Sequence, residues 1–141
     1  MKERLKVMIV DDDATSLSVV GAVLEDSGHE VLERGSALGT MLAVRREKPD
    51  VVLLDVQMPG LGGDMLATLL LDTKLEHQPI VILHSTTAAA ELDTLAKGCK
   101  AAGFIEKTSD HRAFLRAFEQ IVSRALSDRG RLSATSKPRT K

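Results

Sequence analysis

Three apolar runs in this chain, and a fourth short strand-like segment, each end in residues that can do chemistry. Val7-Met8-Ile9-Val10 runs into Asp11-Asp12-Asp13, and Val51-Val52-Leu53-Leu54 into Asp55. Ile80-Val81-Ile82-Leu83 runs into His84-Ser85, and Gly103-Phe104-Ile105-Glu106 into Lys107. Carboxylates crowded into one site raise one another's pKa unless a cation joins them. An all-oxygen donor set suits Mg2+, which takes one or two carboxylates and a phosphate oxygen and keeps several waters. Beside such an ion, Asp55 could act as the covalent acceptor of a phosphoryl group. Lys107 could place a cation on the phosphoryl oxygens, and a hydroxyl at the end of the third run could hydrogen-bond them.

These residues meet only if the runs are parallel strands, whose carboxyl ends share one side of a sheet. Short continuous apolar runs bounded by turn signals read as strands buried on both faces. The first spans 5–10, a weaker and more polar second spans Glu30-Val31-Leu32-Glu33-Arg34, and the others are the runs above. Helical periodicity fills the gaps. Leu17, Val20, Val23 and Leu24 form one stripe, and Leu38, Met41 and Leu42 form a second, with Val44 at its margin. Met65, Leu66, Leu69 and Leu70 form a third, Leu92, Leu95, Ala96 and Cys99 a fourth. The last helix runs from Asp110 to about Leu126 on Phe114, Leu115, Phe118, Ile121, Val122 and Leu126. Strand and helix alternate throughout, which predicts an α/β, doubly wound (βα)5, flavodoxin-like fold. Its parallel five-stranded sheet would have order 2-1-3-4-5, with helices on both faces and the polar 30–34 strand at an edge.

A chain of 141 residues, 43% hydrophobic, fits one domain with a substantial core. Only 2% of it is aromatic, with no Trp or Tyr, so platforms for stacking single-stranded nucleic acid are lacking and nucleic acid is not an expected partner. The net charge of −1 hides an asymmetry: residues 127–141 hold five basic residues against Asp128, leaving −5 on residues 1–126. The expected organisation is a domain over 1–126 and a basic, disordered tail over 127–141, with no output domain. The single Cys99 fits a reducing compartment. With no signal peptide and no apolar stretch long enough for a membrane, the expected location is cytoplasmic.

In order and spacing, these residues resemble the receiver domain of bacterial two-component response regulators, of the stand-alone type, over about residues 5–126. The resemblance is carried by Asp11-Asp12, by Asp55 with Met58, Pro59 and Gly63 in a D-x-x-M-P-x-x-x-G frame, by the strand-four hydroxyl, by Phe104 and by Lys107. It implies that Asp55 is the phosphoacceptor, served by a histidine kinase or phosphotransfer protein. Mg2+ would be held by Asp12, by Asp11 through water, by Asp55 and by the Gln57 backbone carbonyl. Lys107 would pair with the phosphoryl group, and Ser85 and Phe104 would form the switch. Output would be a protein contact on the helix 4–strand 5–helix 5 face, from a monomer or a phosphorylation-dependent dimer. Two positions depart from the family. Counting forward from Pro79 puts His84 at the hydroxyl position, whereas counting back from Lys107 puts Ser85 there, and the chemistry favours Ser85. Thr108 stands where the family usually has Pro after the lysine, so that loop is expected to differ.

Other readings compete. Asp11-Asp12-Asp13-Ala14-Thr15 fits the D-x-D-x-T motif of haloacid-dehalogenase-like phosphatases, with Asp11 as nucleophile, but leaves Asp55 without a role. A receiver fold used only for docking, without phosphorylation, is the other alternative. Asp13 reads as a helix cap rather than a third ligand, Cys99 as a core residue, and His84 as a packed strand-end residue. Phe104 serves equally as a core aromatic.

Overall fold

The structure, a computed structural model, describes residues 4–136. Five strands, β1 (Lys6–Val10), β2 (Glu30–Arg34), β3 (Val51–Leu54), β4 (Ile80–Ser85) and β5 (Gly103–Glu106), alternate with five helices. The helices are α1 (Ala14–Asp26), α2 (Thr40–Glu47), α3 (Gly63–Asp72), α4 (Ala89–Cys99) and α5 (His111–Ser136). All strand pairs are parallel, in the order β2-β1-β3-β4-β5. The polar β2 lies at an edge, as its sequence predicts. Register is direct: Val10 pairs with Leu54, and Leu54 with Leu83.

The period-two alternation of strand side chains sorts the core into two layers. Val7, Ile9, Val51, Leu53, Ile80 and Ile82 face α1 and α5, where Leu17, Leu24, Phe114 and Phe118 cover them. Met8, Val10, Val52, Leu54, Val81 and Leu83 face α2, α3 and α4, where Val44, Leu66, Leu70, Leu92 and Cys99 cover them. Cys99 is thus a core residue, as expected. Fully burying each such Val, Leu or Ile is worth about 1.5–3 kcal/mol, so these strands need no polar face. In the α1/α5 layer, rings follow one another: His29 on Phe118 (centroids 5.8 Å apart), Phe118 on Phe114 (6.0 Å) and Phe114 on His84 (5.3 Å).

Three helices depart from the sequence reading. α2 begins at Thr40, after Gly39 at φ +79°, and buries Thr40, Ala43 and Val44. Leu38 and Leu42, expected inward, are 86% and 65% exposed. α3 buries Leu66, Ala67 and Leu70 and leaves Met65 and Leu69 exposed. Apolar residues lie on both sides of these two helices, so periodicity alone does not select the buried stripe. The last helix continues to Ser136 instead of ending near Leu126. A helix already nucleated on the core propagates cheaply through residues such as Arg129. The remainder of the expected tail, 137–141, lies outside the described residues.

One glycine is required by a close approach. Gly63 opens α3 with its N–H donating to the Val56 carbonyl (3.2 Å), and a Cβ there would collide with the Asp55 backbone carbonyl. Gly63→Ala is expected to displace the β3–α3 loop and destabilise the protein by about 1–3 kcal/mol, read as a drop of several degrees in Tm. An unchanged Tm would contradict that contact.

Candidate functional site

Backbone hydrogen bonds extend the sheet one step past each strand and so fix the residues at its rim. The Asp11 N–H donates to Arg34 O (3.0 Å), Asp55 N–H to Val10 O (2.9 Å) and Lys107 N–H to Ser85 O (2.8 Å). Asp11 and Asp55 are then treated alike. The Asp13 amide donates to Asp11 Oδ1 (2.9 Å), and the Gln57 amide to Asp55 Oδ1 (3.1 Å). Each carboxylate keeps its other oxygen for Lys107, whose Nζ lies 2.7 Å from Asp11 Oδ2 and 3.7 Å from Asp55 Oδ2. Asp12 is exposed and brings a third carboxylate, and oxygens from Asp11, Asp12 and Asp55 lie within 4.8 Å of one another.

Charge dominates this cluster. Burial pushes the Asp55 carboxyl above its ordinary pKa, and the neighbouring Asp11 pushes the same way, against the Gln57 amide and Lys107. Burial also acts to raise Asp11, but Lys107 and the Asp13 amide outweigh it and hold Asp11 below the usual range. Burial opposes charge on Lys107, yet Asp11 and Asp55 keep its ammonium above the ordinary lysine value. Three carboxylates against one ammonium leave an excess of negative charge. Asp11 Oδ2 is buried, with the Lys107 ion pair as its partner and no aligned hydrogen bond among the described residues. A hard divalent cation fits this oxygen donor set.

Around the cluster stand the other predicted residues. Ser85 is fully buried, and its hydroxyl is engaged with Thr87: Oγ lies 3.1 Å from Thr87 Oγ1 and accepts from the Thr87 amide at 3.2 Å. His84 points to the opposite face of β4, edge-on to Phe114. Strand alternation thus leaves Ser85, not His84, on the face of β4 that carries Leu83. Phe104 is half-buried against the α2–α4 layer. Gln57 is exposed, and its side-chain Oε1 accepts from Thr86 Oγ1 (3.1 Å), tying the β3–α3 loop to the β4–α4 loop. Asp13 caps α1, its Oδ1 accepting from the Thr15 amide at 3.0 Å, as expected. Every described peptide bond is trans, including Lys107–Thr108. The Thr108 hydroxyl accepts from the Asp110 amide (3.0 Å), and Asp110 in turn caps α5 through Arg112 and Ala113. Thr86 and Thr87 escaped the sequence reading. Their only signal was a run of hydroxyls, Ser85-Thr86-Thr87, after an apolar strand.

Two expectations follow for stability. His84 is held neutral: burial, helped by the Lys107 charge, lowers its pKa from 6.5 to about 4. The unfolded chain takes up a proton near pH 6.5 and the folded one only near about 4, so stability present above that range is lost as pH falls through it. The loss is on the order of 3 kcal/mol. His84→Leu should flatten that part of the acid-denaturation curve, and a curve of unchanged slope would contradict the assignment. Asp55 has the opposite sign: its raised pKa makes its ionised form a cost at neutral pH. Asp55→Asn should therefore raise the stability of the metal-free protein at pH 7. Thermal melts of both proteins decide it, and a destabilised variant would refute the charge-crowding argument.

Protein PilH of Pseudomonas aeruginosa is 34% identical over 119 residues, covering 84% of this chain and 98% of PilH. The BeF3-activated N-terminal receiver domain of Klebsiella pneumoniae RstA superposes with TM-score 0.75 at 25% identity, over 83% of this chain and 97% of that one. The chemotaxis response regulator CheY4 of Vibrio cholerae shares the fold with TM-score 0.76 at 21% identity, over 84% of this chain and 99% of that one. Residues 7–119 match the response regulator receiver domain family, and the chain belongs to it.

Proposed function

We propose that the chain is a phosphorylation-dependent signalling switch in which Asp55 accepts a phosphoryl group from a histidine kinase or phosphotransfer protein. The observation that carries this reading is the pairing of Asp55 Oδ2 with Lys107 inside a three-carboxylate cluster. Asp55 Oδ2 attacks phosphorus, an O–P bond forms, and the P–N bond of the donor phosphohistidine breaks with its electron pair returning to the ring nitrogen. Asp12, Asp55 and the Gln57 carbonyl, with Asp11 through water, would hold Mg2+, which would supply positive charge to offset that of the transferring group. The Gln57 amide fixes the Asp55 carboxylate, and Lys107 turns from Asp11 toward the phosphoryl oxygens. Ser85 leaves Thr87 to donate to a phosphoryl oxygen, which moves the β4–α4 loop. Half-buried Phe104 follows into the space beside it, and the change is read on the α4–β5–α5 face.

This is self-catalysed modification within the cytoplasm rather than metabolic turnover, with either a monomer or a phosphorylation-dependent dimer as the signalling form. The phosphatase reading gains nothing from the geometry, because Asp13, the second aspartate of its motif, is engaged in capping α1 and Asp55 is left without a role.

Incubation with Mg2+ and acetyl phosphate should add one phosphoryl group by intact mass. Chelator should abolish the shift, and so should Asp55→Asn with its fold intact. Labelling that persists in Asp55→Asn would sink the assignment. Absence of any shift while a control receiver is labelled would favour the docking-module reading.

A further inference from the structure

A second feature of the molecule has no part in the switch. α2 and α3 flank a groove of about 700 Å3, lined also by Pro59, Gly60 and Leu61 of the β3–α3 loop. Leu38, Leu42 and Leu69 line it and are 86%, 65% and 47% exposed, with Met65 beside them at 59%. Exposed leucines scattered singly mean little, but a contiguous set along a concave surface marks an interaction site. Nor is the wall loose. Arg34 donates from Nη2 to Leu38 O (2.8 Å) and from Nε to Thr40 Oγ1 (3.0 Å), while Thr40 Oγ1 donates to Ser36 O (3.0 Å). Leu38 is thereby presented to solvent on a braced turn.

Charge says what fits. Of the residues lining the groove, Arg45 alone is charged and none is acidic. The other cations of this segment are paired, Arg46 with Glu47 (3.4 Å) and Lys48 with Glu76 (3.0 Å). Arg45 has no acidic partner among the described residues. A second copy of the chain would bring the same patch, and so another unpaired arginine and no carboxylate, because a two-fold interface repeats one surface on both sides. A groove between two helices with leucine walls suits a third amphipathic helix, anchored at i, i+3 or i+4, and i+7.

We propose that the α2–α3 groove docks an amphipathic helix of a partner protein, with apolar anchors among its leucines and a carboxylate on Arg45. This surface is distinct from the α4–β5–α5 face, and the inference does not depend on phosphorylation at Asp55.

The test is selection from a displayed helix library on the full chain, with apolar residues fixed at the three anchor spacings and all other positions random. Chosen peptides are then measured by fluorescence anisotropy. Enrichment of Asp or Glu at one position beside the anchors is expected. Leu42→Asp and Leu69→Asp should each weaken the chosen peptide by at least ~10-fold with Tm unchanged, because both side chains are solvent-exposed. Arg45→Glu should weaken it similarly and restore binding to a peptide whose acid is replaced by Lys. Three results would each overturn the proposal: no enrichment, peptides indifferent to Leu42→Asp and Leu69→Asp, or self-association of the chain alone that Leu42→Asp abolishes.

Discussion

Three carboxylates facing one ammonium is the constraint on which this molecule turns. Left in water, Asp11, Asp12 and Asp55 would separate. Here backbone bonds from strand ends hold Asp11 and Asp55 in place, and the amides of Asp13 and Gln57 pin one oxygen of each. Lys107 relieves part of the repulsion and remains short of neutralising it. The folded protein thus carries a charge imbalance that a cation or a phosphoryl group can change. That imbalance is tolerable because the aliphatic sheet beneath it is buried on both faces and supplies the stability the site forgoes.

Two hydroxyl contacts sit between the cluster and the surrounding loops. Ser85 is bonded to Thr87, within its own loop, and Thr86 is bonded to Gln57 across the mouth of the site. Neither bond is strong, since a neutral hydrogen bond contributes only about 0.5–1.5 kcal/mol net. Weak local bonds suit a place where partners are to be exchanged. A charge-assisted bond to a phosphoryl oxygen is roughly twice as strong and can displace either of them.

The sheet was legible because β3 and β4 and most of β1 are unbroken apolar runs that suit no surface element, and alternation with helices made it parallel, with the polar β2 at an edge. The polar rim was legible because parallel strands must gather their carboxyl ends. His84 and Ser85 were separated by side-chain alternation, which sends neighbouring residues to opposite faces and puts the imidazole on Phe114. The helices were less legible. Leu38, Leu42, Met65 and Leu69 sit where a core stripe could be drawn, and only packing shows that Ala43, Val44, Leu66 and Leu70 form it. Thr86 and Thr87 carried no warning of their partners, because hydrogen bonds between loops leave no periodicity to read.

The ring contacts of the α1/α5 layer have a mechanical consequence. Two of the three phenylalanines, flanked by His29 and His84, make a continuous column behind the sheet, while the third, Phe104, stands half-buried on the other side. Flat rings in mutual contact resist compression, and moving one displaces all four. The column thus links β4, through His84, to two turns of α5, so a shift of that strand end is passed by ring contact to α5, whereas Phe104 stands outside the column and is free of it.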